Sequence, residues 1–140
     1  ARAHAGITDT LGLWEGTGTA SEVSGKDLGA FTVTLTRKSL GNAKVRADGK
    51  VTLANGHEVV FWQEFEERGP NGFQLVSNNG TGGGRCFANA ICQTYEERAD
   101  GHAFATTIAK DGASTLRILV TELDHGKAVR FFQQTLSKRS

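Results

Sequence analysis

Gly12-Leu13-Trp14-Glu15-Gly16-Thr17-Gly18 is the stretch on which the reading of this chain turns. In an extended strand, side chains alternate between two faces, so an inward Trp14 puts Gly16, Gly18 and Ala20 on the same face. That face carries one large indole and then almost no side-chain volume. Such a strand lets a sheet bend sharply and close near the ring, or leaves room for a guest. Trp14, Gly16 and Gly18 are therefore read as structural positions.

Beyond this stretch the same period of two continues. Phe31, Val33 and Leu35 alternate with Thr32, Thr34 and Thr36, which predicts a strand with one buried and one wetted face. Turn signals then recur every few residues: 23–29, Asp48-Gly49, Asn55-Gly56, Pro70-Asn71-Gly72, Asp100-Gly101, Asp111-Gly112 and His125-Gly126. Residues 78–90, with the run Gly80-Thr81-Gly82-Gly83-Gly84, read as the longest irregular loop. No segment sustains an apolar period of 3.6. The expected fold is all-β, an antiparallel up-and-down barrel of 8–10 strands, with a two-sheet β-sandwich as the alternative. Alternating turns would gather 23–29, 48–49, 69–72, 99–101 and 124–126 at one rim. Trp14, Asn55-Gly56 and the cysteine loop would lie at the other. Residues 1–140 are expected to form one domain, with 1–10 as a tail or a plug.

Composition narrows the function classes. The 140 residues carry 16 basic and 15 acidic side chains, a balance that gives no electrostatic argument for nucleic acid. No apolar run approaches the roughly 18 residues of a membrane-spanning helix. The chain has 18 glycines and one proline, which favours a turn-rich β protein. There is no methionine, and Ala1–Ala5 resembles the small-residue end of an export signal. Cys86 and Cys92 fit neither a zinc pattern nor a redox motif, and a disulfide between them is expected. Both features point to a periplasmic or secreted protein.

The spelling Gly12-x-Trp14-x-Gly16-x-Gly18 resembles the first strand of calycin-type barrels: lipocalins, which carry Gly-x-Trp, and nitrobindin-like barrels, which carry the longer form. The resemblance implies a lipocalin-like barrel around a ligand cavity. It also implies a late arginine, Arg130 or Arg117, packed over Trp14. Nitrobindin-like barrels hold haem through a histidine near the chain's end, and Phe131–Leu136 has none, so neither haem nor another cofactor is expected.

Alternation places Phe31, Phe61, Phe104 and Phe132 inward as the walls of an apolar cavity. Gln63, Tyr95, Arg130 and Gln134 are the polar groups expected to orient a guest. Strand one would leave unfilled volume beside Gly16, Gly18 and Ala20. His102, Asp124 and His125 share a turn region, but no metal site is expected from them. No nucleophile elbow, metalloprotease or phosphate-loop signature occurs, so no catalytic residue is assigned. The expected function is non-catalytic carriage of a small, mostly apolar molecule. One alternative is a protein-binding inhibitor that uses loop 78–90 and Trp62. Another is a barrel isomerase or lyase, which a buried carboxylate or histidine facing the cavity would favour.

Overall fold

The structure, a computed structural model, describes residues 7–87 and 91–139; the expected export-signal remnant and positions 88–90 lie outside them. A 3₁₀ turn, Ile7–Thr10, precedes ten strands: β1 (Gly12–Glu22), β2 (Asp27–Gly41), β3 (Lys44–Leu53), β4 (Glu58–Arg68), β5 (Gly72–Ser77), β6 (Gly80–Phe87), β7 (Ile91–Arg98), β8 (His102–Asp111), β9 (Thr115–Asp124) and β10 (Lys127–Arg139). Every strand runs antiparallel to its sequence neighbours, and β10 closes on β1 from Leu13↔Arg139 to Glu22↔Arg130. The fold is the closed barrel; closure removes the two free edges that a sandwich would keep.

At the end that carries Trp14, which we call the base, the interior is packed solid. Trp14 is fully buried, and its indole N–H donates to the Thr10 carbonyl at 3.0 Å. Ile7 and Thr10 of the 3₁₀ turn are buried at the base too. Val45, Leu75, Leu116 and Leu136 meet beneath the ring with no more than 1% of their surface exposed. Neither Arg117 nor Arg130 covers Trp14. Lys138 does, with Nζ 5.7 Å from the ring centroid, because β10 pairs Lys138 directly with Trp14. Arg117 instead lies on the outer face, 3.4 Å from Asp111.

Arg37 continues the inward series of Phe31, Val33 and Leu35 and is buried at the base. Its guanidinium stacks on Phe65 at 4.7 Å, while Nε has no hydrogen-bond partner. Burial lowers its pKa to about 10, because the charged form is desolvated.

Two expected turns are corrected. The chain reverses at Gly41, Asn42 and Ala43, all in the left-handed region (φ 81°, 53° and 61°), and not at Asp48-Gly49. Gly49 sits in mid-β3 because a Cβ there would fall on the Phe61 ring. The expected loop 78–90 is a two-residue turn at 78–79 followed by β6. Losing one turn and gaining another moves Asn55-Gly56 to the open rim and Pro70-Asn71-Gly72 to the base. Cys86 and Cys92 face each other across β6 and β7 and are joined by a disulfide, S–S 2.14 Å. Among the described residues no helix is long and apolar enough to cross a membrane.

Candidate functional site: the mouth of the barrel

Toward the end opposite Trp14, the inward side chains no longer close the interior. Phe61, Gln63, Phe104, Val120, Phe132 and Gln134 all face in yet keep part of their surface exposed. The strands are the same ones that bury the base, so the inward side chains are covered less completely toward the mouth than toward Trp14. Phe31 is buried and meets Phe132 edge-on, with ring centroids 6.4 Å apart. Of the residues expected to line a cavity, Phe31, Phe61, Gln63, Phe104, Arg130, Phe132 and Gln134 do face the interior.

Tyr95 does not. It is 44% exposed on the outer wall, between Gly83 and Ala105. The buried Cys92 sets the parity of β7, and two-residue steps from it carry Thr94 and Glu96 inward. Tyr95 instead borders a shallow outer groove of about 690 Å³ with Gly83, Arg85, Gln93, Thr107 and Leu119.

The expected void beside strand one is also filled. A Cβ on Gly18 would lie 2.5 Å from Phe31 Cζ, so the ring from β2 occupies the space that the glycine vacates. Missing volume on one strand is taken up by the next.

Sequence reasoning missed the polar belt at the mouth. Glu96 and Glu122 are 6% and 5% exposed, and both face in. Glu122 is held on both oxygens: His102 Nδ1 lies 2.8 Å from Oε2, and Arg130 Nη1 donates to Oε1 at 3.3 Å. Glu96 Oε1 accepts from the Gln63 amide at 3.0 Å. Glu96 Oε2 lies 3.9 Å from Arg98 Nε, which is buried and has no hydrogen-bond partner among the described residues. The Arg98 guanidinium stacks over the inward Phe104 at 4.2 Å. A buried carboxylate is tolerated only when paired and hydrogen-bonded, and each one here has an arginine beside it.

A bulge at Ala128/Arg130 aims Arg130 at Glu122; an unbroken register would have placed Val129 there. The signal for Glu122 lay in the alternation Leu116, Ile118, Val120, extended by one more step. For Glu96 it lay in two-residue steps from Cys92.

On the far wall Trp62 is half-buried, with Arg46 4.5 Å above its ring. The β3–β4 register runs through it without a bulge. Arg46 also bonds Glu64 at 2.8 Å and Asp48 at 3.2 Å, and those bonds raise its pKa. The surface suggested for protein binding therefore lacks both a bare indole and a long loop.

No protein-family model matches the chain, and no curated protein matches it. Solved structures do. The S-type phycobiliprotein lyase CPES from Guillardia theta is similar at a TM-score of 0.76 and 8% identity, over 96% of this chain and 90% of that one. Rv2717c from M. tuberculosis is similar at a TM-score of 0.75 and 12% identity, over 96% and 95% of the two chains. A redesigned β-barrel, mFAP1, bound to DFHBI, is similar at a TM-score of 0.54 and 10% identity, over 99% and 100%. At these identities the likeness is one of fold alone: a closed, antiparallel barrel.

Proposed function

We propose that the protein binds a small, mostly apolar molecule non-covalently in the mouth of the barrel and acts as a carrier. The observation that carries this reading is the partly exposed inward ring set, Phe61, Phe104 and Phe132, beside the buried Glu96 and Glu122. Apolar walls with a few fixed polar groups are what a small-molecule site needs. Barrels of this architecture bound to DFHBI, or named as a lyase, support a guest inside the barrel. The calycin-like spelling of Gly12–Gly18 agrees with it. No haem enters the reading, since Phe131–Leu136 offers no histidine. The Cys86–Cys92 disulfide supports an exported location.

A lyase or isomerase is the second reading. It is favoured by His102, whose Nδ1 lies 2.8 Å from the buried Glu122 carboxylate, a pairing that orients an imidazole for proton transfer.

Native mass spectrometry of protein purified from its source, followed by fluorescence titration with apolar dyes, tests the primary reading. A retained small molecule and dye affinities near ~1 μM, about −8 kcal/mol, are expected. Absence of saturation up to ~1 mM across a broad apolar panel rejects it. A retained molecule that is chemically altered on incubation, with the change lost in His102→Gln, moves the assignment from carrier to enzyme.

A further inference from the structure

We infer that the mouth selects an uncharged amphiphile ending in a hydroxyl, and discriminates against carboxylate and ammonium ends of the same shape. The inference rests on the ligand-binding reading above and specifies the polar end of the guest.

Charge balance is the first support. Inside the mouth Glu122 faces Arg130 and Glu96 faces Arg98, so the two buried carboxylates and two arginines offset each other. When His102 is protonated, its Nε2 lies 3.9 Å from Asp124, which offsets it in turn. Glu22, beside Arg130 in the β1–β10 register, stands with Asp124 on the rim, where water and salt screen them. Among the described residues, a guest that brings one more charge finds the buried arginines and carboxylates of the mouth already matched. A carboxylate meets two carboxylates, an ammonium meets two arginines, and either is stripped of water as it enters.

Unmet hydrogen bonding is the second support. Glu122 has both oxygens engaged, and Glu96 Oε1 holds Gln63. What remains is Glu96 Oε2 opposite the partnerless Arg98 Nε, 3.9 Å apart and too far for a direct bond. A hydroxyl completes this pair: its oxygen accepts from Arg98 and its hydrogen goes to Glu96. A carboxylate can only accept and an ammonium can only donate.

The test is a set of probes sharing one ring system: naphthalene, 2-naphthol, 2-naphthoate and 2-naphthylmethylammonium, titrated into the intact protein. The wild type is expected to bind naphthol at least about tenfold tighter than either charged probe, the usual reach of one unmatched charge. Glu96→Gln leaves Arg98 without its carboxylate, and the naphthoate-to-naphthalene affinity ratio should rise about tenfold. Arg130→Gln frees Glu122 instead, and should raise the ammonium-to-naphthalene ratio by a similar factor. Arg130 is half exposed, so this second variant keeps the question answerable if Glu96→Gln does not fold. A wild type that binds naphthoate as tightly as naphthol overturns the inference, as do variants that move all probes by one factor. If naphthalene binds without head-group discrimination, only this inference falls. If no probe binds, the ligand-binding reading falls and takes the inference with it.

Discussion

The two ends of this barrel are made from the same ten strands with the same alternation, yet the inward side chains are buried at one end and partly exposed at the other. At the base, Trp14, Val45, Leu116 and Leu136 exclude water entirely, and the 3₁₀ turn seals them. At the mouth, rings of similar size stay half exposed and the wall turns polar at Glu96 and Glu122. The base has a plug and the mouth has none among the described residues, so burial there has to be completed by water or by a guest. The difference teaches where each kind of free energy sits. Stability resides at the base, and the proposed recognition at the mouth.

Substitutions can break or sharpen this contrast. Trp14→Ala carries the largest effect: removing a fully buried indole and its bond to Thr10 should cost about 3–5 kcal/mol in urea melts. A loss below ~1 kcal/mol would mean that the base is not the anchor. Gly18→Leu comes next. With Phe31 already over the glycine and the Gln133 carbonyl also in the way, the added side chain should cost about 2–3 kcal/mol. A variant that folds as well as wild type while losing dye binding would restore the void that the Phe31 ring now fills.

Reducing the Cys86–Cys92 bond near the base opens a short ring with a sequence separation of 6 and should cost about 2 kcal/mol. Intact mass before and after alkylation under denaturing, non-reducing conditions checks the bond itself. Two labelled thiols would remove it, along with its support for export.

Arg37 is the exception within the base, a buried cation among apolar side chains. Its folded pKa, about 10, lies below the ordinary arginine value, so folding disfavours the charged form. The penalty is complete below pH 10 or so and fades as the pH climbs from there toward the ordinary value. Arg37→Met should therefore raise stability at neutral pH by about 1–2 kcal/mol, net of the lost stacking on Phe65. The gap between the two proteins should narrow once the folded pKa is passed. A net loss in Arg37→Met would point to a role for the cation that burial alone does not explain.

The smallest expected stability change belongs to the mouth. Phe104→Ala trims a half-exposed ring and should cost only about 1–2 kcal/mol while weakening dye binding sharply. Dye affinity unchanged in that variant would empty the mouth of its assigned role.

Much of the architecture was legible in the residues. Phe31, Val33 and Leu35 against three threonines, the glycine-framed Trp14 and the spaced turn signals led to an antiparallel barrel. Alternation placed seven of the eight expected lining residues on the inner face. The failures came where a local signal was read without its neighbour. Asp48-Gly49 spells a hairpin, but Phe61 on the adjacent strand needs that glycine. Gly80–Gly84 spells a loop, but Phe73 packs over Gly84, with Cζ 2.7 Å from where a Cβ would stand, and the run pairs as β6.

What the sequence by itself determined was therefore the period of two, the approximate strand count and the anchoring indole. Each of these is a property of a single strand, set by where successive side chains point. Only the tertiary structure decided which end is open, which way β7 faces and how the carboxylates are matched. Those depend on the registers between strands and on contacts across the closed sheet. Glu122 finds Arg130 through a bulge on β10, and Glu96 finds Gln63 across 33 positions. Pairing of that kind arises when a sheet closes on itself, and a strand read alone carries no trace of the partner it will meet.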